Sequence, residues 1–411
     1  MAKSNILEAQ LTMAKGMEFA GVVVHSKGEY LELTTPRDRH PIYSVTDSRG
    51  AVVRTAHEWL RSLTMTEGLS NTLSTAIQYG HTVTYLVRWI ERNGPFPDLS
   101  VDENIVRLER EHIRDWLQDM RRNGAHSHGT RHSREACIRS FLEWLTTHDA
   151  GLVRRLEDSP YGRDNTLRYL TASPTARSPK FIPAEVVVEV LSRMYNECER
   201  CMFHVQFDTG LRISEVVNLA QGDIPDASMY NSSFEFIPLC ARRVKGRGGQ
   251  RPEKATLISR AALNRVKRYH NSLEYKLAPD WDIDDPDKPA FLTANQLKWS
   301  PRNASKQFKN AVNRANVSKH MSPHWLRHGT AFSVLRSDIG KTYEDRILIV
   351  QQMLGHAHLT TTEIYTQISP AMLQRLTKEG EKQDRLKEAE FIRSHTFLGP
   401  LQHKEKRGHH A

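Results

Sequence analysis

A ten-residue stretch near the middle of the sequence divides the chain into two regions. Residues 171–180 have the sequence Thr-Ala-Ser-Pro-Thr-Ala-Arg-Ser-Pro-Lys, which is rich in Ser, Thr and Pro and shows no apolar period. Such a composition favours an extended linker. The 411 residues also exceed the roughly 250 to 300 at which a single core stops growing. We therefore expect two main domains, one on each side of this linker.

The region before the linker carries the apolar spacing of helices. Residues recur at i, i+3, i+4 and i+7 in three groups. The groups are Val83, Leu86, Val87 and Ile90; Ile113, Trp116, Leu117 and Met120; and Cys137, Phe141, Trp144 and Leu145. Residues 51–170 are thus predicted to form a bundle of three or four helices. Residues 1–50 mix short β-like runs with turns and form an N-terminal extension of unknown role, which either makes binding contacts of its own or only packs on the bundle.

The charge balance suits a polyanionic partner. Lys and Arg number 58 against 48 Asp and Glu, which gives a net charge of +10. Basic residues line the outer faces of the predicted bundle, where they either contact phosphates or form solvated helix surface. They are Arg88, Arg92, Arg121, Arg122, Arg131, His132, Arg134 and Arg139.

The sequence indicates a cytoplasmic protein that does not enter a membrane. It has no apolar run of the length that spans a bilayer, and its first residues lack the apolar core of a signal peptide. Four cysteines are too few for a disulfide framework. Cys198, Cys201 and His204 are of metal-ligand type, but they lie in a predicted helix without a second ligand pair, which favours a structural role over zinc.

Three segments after the linker have the features of a phosphate site. In residues 208–215, Gly210 can end one helix and Arg212 can begin the next, one turn from Glu215. An arginine at a helix start suits an anion, although a surface ion pair is equally compatible with this string alone.

The second and third segments also lie at predicted helix ends. Ser322 and Pro323 suit a helix start, which brings His324 and Arg327 to one face near the anion-favouring end. In residues 354–365, Gly355 ends a helix, and Thr360 with Glu363 can cap the next one. Tyr365 is then near a helix start, within reach of groups around His356.

Together these segments resemble the tyrosine recombinase family, the phage-integrase type of site-specific recombinase. The family's catalytic domain carries a Gly-Leu-Arg-x-Ser-Glu box, a His-x-Leu-Arg-His box and a Leu-Gly-His box followed by the nucleophilic tyrosine. All three are present here, in the same order, within residues 180–370. The resemblance implies a mainly α protein with a small antiparallel β-hairpin. Its parts would be a helical core-binding domain at 51–170, the linker at 171–180, a mostly helical catalytic domain at 181–370 and a tail at 371–411.

The resemblance and the chemistry together assign roles to these residues. Arg212 and Arg327 would stabilise charge on the phosphate oxygens, with hydrogen bonds from His324 and His356. Tyr365 would be the nucleophile and His324 its base, while Glu215 and His328 support the site. Tyr343, between the second and third boxes, is the first alternative nucleophile. No cofactor and no metal are implied, because the bond energy is kept in the phosphotyrosine ester.

The proton for the departing 5′ oxygen would come from a lysine on the hairpin between the first two boxes. Lys245 is the candidate, because an ammonium can release its proton whereas arginine scarcely can. Against the common Gly-Lys-Gly form of that hairpin, however, Arg247 takes the lysine position, so the register stays open. Residues 277–288 are acidic and contain proline, and are predicted to form a surface insertion.

The implied activity is DNA cleavage and rejoining through a 3′-phosphotyrosine, which serves DNA integration or recombination. The gene would belong to a mobile element, such as a phage or transposon, or to a chromosome. Its partner would be double-stranded DNA bound by a homotetramer, with accessory DNA-bending proteins or sister recombinases. The tail would either contact a neighbouring protomer or be a solvated helix. Two alternatives are a type IB topoisomerase or hairpin-resolving enzyme, and a DNA-binding regulator that has lost the chemistry.

Overall fold

The computed structural model describes most of the chain in segments. They are residues 10–14, 23–24, 30–31, 42–65, 73–124, 126–163, 166–174, 180, 182–242, 253–317, 321–337, 339–340, 342–355 and 384–399. Within these segments no helix is both long and apolar enough to cross a bilayer. Contacts divide the described residues into two compact units, one up to residue 174 and one from residue 180 onward.

The first unit begins with short antiparallel strand pairs. Its strands are β1 (Gln10–Ala14), β2 (Val23–Val24), β3 (Tyr30–Leu31) and β4 (Ile42–Thr46). Strand β1 pairs with β4, and β2 pairs with β3. Tyr43 and Val45 on β4 are buried in the same core as the helices that follow. This end of the N-terminal extension therefore packs on the bundle.

The bundle itself has more helices than the three or four expected from the sequence. The described helices are α1 (Arg54–Met65), α2 (Leu73–Asn93), α3 (Val101–Arg107), α4 (Arg110–Asn123) and α5 (His128–Trp144). The predicted apolar faces of α2, α4 and α5 meet in one core around Trp59 and Phe141, whose rings lie 4.9 Å apart. The short α3 carries little apolar period, but Ser100 and Glu103 form a capping box that starts it.

The beginning of the predicted linker is held by a buried carboxylate on α5. Glu135 is fully buried and accepts hydrogen bonds from the backbone N–H groups of Leu170 (2.6 Å) and Thr171 (2.8 Å). The hydroxyl of Tyr161 also donates to Glu135, at 3.2 Å. Composition alone pointed to an extended segment from residue 171, whereas these bonds tie its first residue to the bundle.

The second unit is mostly helical around one antiparallel hairpin. Its elements are α6 (Ala184–Ser192), α7 (Glu197–Thr209), α8 (Ile213–Val216), β5 (Phe236–Arg242), β6 (Glu253–Ser259), α9 (Arg260–His270), α10 (Leu273–Lys276), α11 (Pro301–Ala315), α12 (Pro323–Arg336), α13 (Tyr343–Leu354) and α14 (Arg385–Thr396). Strands β5 and β6 pair from Phe236 opposite Ser259 to Arg242 opposite Glu253. The mainly helical fold with a small antiparallel sheet is as predicted.

Helix α7 is the centre of this unit, since every one of its residues is buried. Cys198 and Cys201 lie in the core as free thiols, in the helix that the sequence predicted. Buried polar groups on α7 need partners, because desolvation otherwise costs free energy. Arg265 of α9 supplies one through paired bonds to Glu197, at 2.6 and 3.0 Å.

The residues predicted to form an insertion are mostly exposed, but their last residue is fixed. Leu277 and Ile283 are exposed. Lys288, by contrast, is buried with its amine 4.5 Å from the centre of the Tyr275 ring, and its carbonyl accepts a hydrogen bond from the N–H of Gln221. The insertion is therefore a surface loop anchored to the core of the unit.

The described part of the tail, α14, packs on its own chain. Ile392 is fully buried against the core that contains α6, α7 and α9. The carbonyl of Thr396 accepts hydrogen bonds from Arg200 (2.9 Å) and Arg265 (3.0 Å), and the N–H of Leu398 donates to Glu197 at 2.8 Å. The described end of the tail thus packs on its own chain. Residues 369–383 lie outside the described residues, so the predicted contact of the tail with a neighbouring protomer stays a prediction.

Candidate active site

The turn between α7 and α8 brings the first box to the site. Gly210 ends α7 with φ 68°, a left-handed conformation in which glycine has no steric penalty. A Cβ at this position would lie 2.8 Å from Cδ2 of Leu354 and 3.2 Å from Cγ2 of Thr330. Both the backbone angle and the packing therefore require glycine. The turn places Arg212 at the N-cap of α8, as the sequence predicted.

Arg212 and Glu215 form an ion pair with one exposed and one buried partner. Nη1 of Arg212 lies 2.8 Å from Oε1 of Glu215, and the Arg212 backbone N–H donates to Oε2 of the same carboxylate at 2.8 Å. The Arg212 side chain is 43% exposed, whereas that of Glu215 is 4% exposed. The carboxylate thus holds the arginine from below while the guanidinium faces solvent, where a phosphate can reach it.

The second box starts α12 as predicted, with Ser322 at the N-cap and Pro323 in the first turn. His324 is exposed, and its ring meets that of His328 edge-on at 4.7 Å. Desolvation, with the Arg327 and Arg212 cations, lowers the pKa of His324 below its ordinary value. Desolvation, with His324 and the Arg327 cation, lowers the pKa of His328 to about 4. Both imidazoles are neutral at pH 7, so His324 has a nitrogen lone pair available to accept a proton.

Arg327 is buried, and it joins the three boxes. It is 2% exposed, with Nη1 donating to the carbonyl of Gly210 at 2.7 Å and Nη2 donating to the carbonyl of Leu354. Those carbonyls belong to the ends of α7 and α13. The C=O groups at a helix end lack partners within the helix and carry partial negative charge, so they are good acceptors for a cation. Sequence reasoning gave Arg327 only a phosphate-binding role, whereas the structure gives it bonds that hold the site together.

Lys254 on β6 belongs to the same cluster and was missed by the sequence reasoning. Its side chain is 2% exposed, and its Nζ lies 3.1 Å from Oε2 of Glu215. Burial lowers the pKa of Lys254 to about 7; Glu215 acts to raise it and the Arg327 cation to lower it further. Burial acts to raise the pKa of Glu215, but Lys254 and Arg212 outweigh it and hold that pKa below its ordinary value.

The signal that could have identified Lys254 is the alternation along its strand. Positions Lys254, Thr256 and Ile258 face the interior, while Glu253 and Ala255 are exposed. A lysine in the inward set of a two-residue period needs a buried partner of opposite charge. The hairpin candidates named from the sequence, Lys245 and Arg247, lie nine and seven positions before Lys254.

Several predicted site residues cannot be compared with the structure. Lys245, Arg247, His356 and Tyr365 lie outside the described residues, so their roles stay predictions. The structure does describe Gly355, which ends α13 in a left-handed conformation as predicted. It also describes the alternative nucleophile, Tyr343, whose pKa is raised by burial. A phenol that is harder to ionise is a poorer nucleophile, which counts against that alternative.

The basic residues of the bundle fall into two groups. Arg92, Arg121 and Arg122 are exposed, as the phosphate-contact interpretation needs. Others have partners within their own unit: the guanidinium of Arg134 lies 3.9 Å from the centre of the Tyr85 ring, and that of Arg139 lies 4.6 Å from the centre of the Tyr169 ring. In the described part of the chain, no three His, Cys, Asp or Glu side chains are grouped as metal ligands.

Comparison with known sequences finds one family. Residues 180–372 match the model of the phage integrase family. The tyrosine recombinase XerD of Halalkalibacterium halodurans is 27% identical over 312 residues, which cover 75% of this chain and 90% of that protein. The tyrosine recombinase XerC of Yersinia pestis is 27% identical over 267 residues, which cover 64% of this chain and 75% of that protein.

Solved structures share the fold. The XerH site-specific recombinase bound to its difH substrate superimposes with a TM-score of 0.54 at 15% identity, over 74% of this chain and 79% of that one. A dimer of lambda integrase bound to a core site gives 0.53 at 13% identity, over 76% of this chain and 94% of that one. At such identities the likeness establishes the fold alone.

Proposed function

Because the chain belongs to the phage integrase family of tyrosine recombinases, we propose that it is a site-specific recombinase that cleaves and rejoins DNA through Tyr365. The members of this family are enzymes of DNA strand exchange. The proposed reaction attaches the 3′ phosphate of one strand to the tyrosine and releases a 5′-hydroxyl. A 5′-hydroxyl from a partner strand then attacks the phosphotyrosine and restores the backbone.

The observation that carries the proposal is the cluster of cations between the helix ends. Arg212 and Lys254 both pair with a single carboxylate, Glu215, and the buried Arg327 is close enough to lower the pKa of Lys254. The Arg212 guanidinium faces solvent. Attack on a phosphodiester places extra negative charge on the non-bridging oxygens, which guanidinium groups stabilise because they stay protonated and bind bidentately. The charge and geometry of this cluster suit that transition state.

The other predicted residues supply proton transfers in this proposal. His324, neutral at pH 7, accepts the proton of Tyr365, and His356 adds a hydrogen bond to the phosphate. Lys245 donates to the departing 5′ oxygen. The ester keeps the bond energy, so the reaction needs no nucleotide cofactor.

The proposed partner is double-stranded DNA, held by the exposed arginines of the bundle and by the site in the second unit. The similar XerH and lambda integrase structures are complexes with DNA, which supports this partner. A complete exchange needs four protomers around two sites, with accessory DNA-bending proteins or sister recombinases in some systems. We place the reaction in the cytoplasm, where free thiols such as the four cysteines here persist.

A nicked suicide substrate tests the proposal. Wild type should form a protein–DNA adduct that survives detergent, and Tyr365→Phe should form none while it still binds the same DNA, because only one oxygen is lost. Tyr343→Phe is the matched control and should form the adduct normally. An adduct in Tyr365→Phe would move the nucleophile elsewhere. Relaxation of supercoiled DNA by wild type without strand exchange would indicate a topoisomerase instead.

The proton donor is tested with DNA whose scissile 5′ oxygen is replaced by sulfur, a leaving group that needs no proton. If Lys245 is the donor, this substrate restores cleavage by Lys245→Ala and gives no restoration for Arg247→Ala. The opposite pattern would assign the role of proton donor to Arg247, which takes the lysine position in the hairpin.

A further inference from the structure

Lys254 is a buried cation whose described ion pair is with Glu215, the carboxylate under Arg212. Three donors share the Glu215 carboxylate: the Arg212 backbone N–H, the Arg212 guanidinium and the Lys254 amine, at 2.8, 2.8 and 3.1 Å. Lys254 and Glu215 are 2% and 4% exposed. Glu215 is therefore a shared partner that links Lys254 to Arg212.

A buried ion pair of this kind is an expensive way to stabilise a fold. Removing two charges from water costs several kcal/mol for each ion, and apolar residues of the same volume often stabilise a protein equally well. Oxygen Oε2 of Glu215 already accepts a bond from the Arg212 backbone, so the lysine is not needed to satisfy that carboxylate. A role in the chemistry accounts better for keeping a charge here.

The net charge of the cluster shows what the lysine contributes. When Lys254 is protonated, Glu215 carries one negative charge and Arg212 and Lys254 carry one positive charge each, so the group is then cationic overall. Without Lys254, the carboxylate would cancel the charge of Arg212. The attraction of Arg212 for a phosphate would then fall, and the carboxylate would be free to pull the guanidinium inward.

We propose that Lys254 is a positioning residue for strand cleavage, which holds Glu215 so that Arg212 meets the scissile phosphate in a fixed orientation with its charge uncancelled. The location of Lys254 fits this role. It lines a cleft between β6 and α13 that ends at Gly355, the last described residue before the segment that carries Tyr365. The inference rests on the recombinase function proposed above.

Lys254→Met is the first test, because methionine keeps the length of the chain and removes the charge. We expect single-turnover cleavage of the suicide substrate to fall about 10- to 100-fold, the loss typical when the support of a catalytic group is removed. DNA affinity should stay within about threefold, since the buried amine touches no phosphate. The control is Lys267→Met, which breaks an exposed ion pair with Asp226 in the same unit and should cleave normally.

A double-mutant cycle distinguishes positioning from a general structural role. If Lys254 acts through Glu215, then Lys254→Met should cause no further loss of cleavage once Glu215→Gln is present. The double variant also has no unpaired buried charge, so it keeps the test usable if Lys254→Met alone folds poorly. Losses that multiply would overturn the proposal.

Two substrates separate the chemistry. A methylphosphonate linkage replaces one charged oxygen by a methyl group and so needs less cationic help; it should reduce the cleavage defects of Lys254→Met and Arg212→Ala alike. A bridging-sulfur substrate should not restore Lys254→Met. Restoration by sulfur would overturn the positioning role and make Lys254 the proton donor. Wild-type protein that forms no adduct would refute the recombinase proposal, whereas normal cleavage by Lys254→Met would refute this inference alone.

Discussion

Replacement of Arg327 should damage the fold as well as the chemistry, in contrast to replacement of Arg212. Arg327 is buried and donates to the carbonyls of Gly210 and Leu354, whereas Arg212 is 43% exposed and pairs with Glu215. The two arginines are expected to bind the same phosphate. Their different surroundings therefore separate a structural contribution from a catalytic one.

The magnitudes follow from these contacts. A hydrogen bond from a charged donor contributes about 1.5 to 3 kcal/mol, so Arg327→Met, which removes two of them, should lower the free energy of unfolding by about 3 to 6 kcal/mol. That is a large part of the roughly 5 to 15 kcal/mol by which domains are stable. Arg212→Met removes an i, i+3 pair whose arginine is exposed, and the buried Glu215 keeps Lys254 as a partner, so the free energy of unfolding should fall by only about 1 kcal/mol.

Hydrogen exchange of the intact protein, followed by mass spectrometry, measures the effect locally. Peptides from α7, α12 and α13 should exchange faster in Arg327→Met and at the wild-type rate in Arg212→Met. Cleavage should be lost in both, by at least about 2.7 to 4 kcal/mol of transition-state stabilisation, as for loss of one oxyanion donor. The exchange rates of these peptides in Arg327→Lys should lie between those of wild type and Arg327→Met, because a compact ammonium does not reproduce the guanidinium fork. Wild-type protection in Arg327→Met would refute the structural role.

Four further outcomes are expected. Gly210→Ala should lower the free energy of unfolding by about 2 to 5 kcal/mol, because of the left-handed conformation and the crowding at this position. Gly151→Ala, at φ 73° with open space around it, should lower it only by the conformational part of about 1 to 2 kcal/mol. Equal shifts in melting temperature for the two variants would contradict this. Glu135→Leu should lower the free energy of unfolding by about 2 to 6 kcal/mol, because the backbone N–H groups of Leu170 and Thr171 lose their acceptor. Unchanged amide exchange in residues 166–174 would disprove this. Burial lowers the pKa of His270 to about 4, so the unfolded state takes up the proton first and stability falls as pH drops below about 6.5, by up to about 1.4 kcal/mol per pH unit; His270→Gln should flatten that slope in denaturant titrations. DNA affinity should fall steeply with salt as counterions are released, and a slope near zero would contradict the phosphate contacts.

The sequence by itself determined the local features of this protein. Helix faces such as Val83 to Ile90 follow from a period of 3.6 residues, and helix ends at Gly210, Ser322 and Gly355 follow from side chains that suit caps. These signals lie within a few residues of the structure they specify. The three boxes also indicated the family, because they match its motifs in residue type and in order along the chain.

Only the tertiary structure decided which distant groups meet. The bonds of Arg327 to two helix ends span 117 and 27 positions in the chain, and the pair of Lys254 with Glu215 spans 39. The attachment of α14 to its own chain depends on Arg200 and Arg265, far earlier in the sequence. The physical reason is that a buried charge must find a partner wherever folding brings one, and a local pattern shows that the charge is buried but not which group neutralises it.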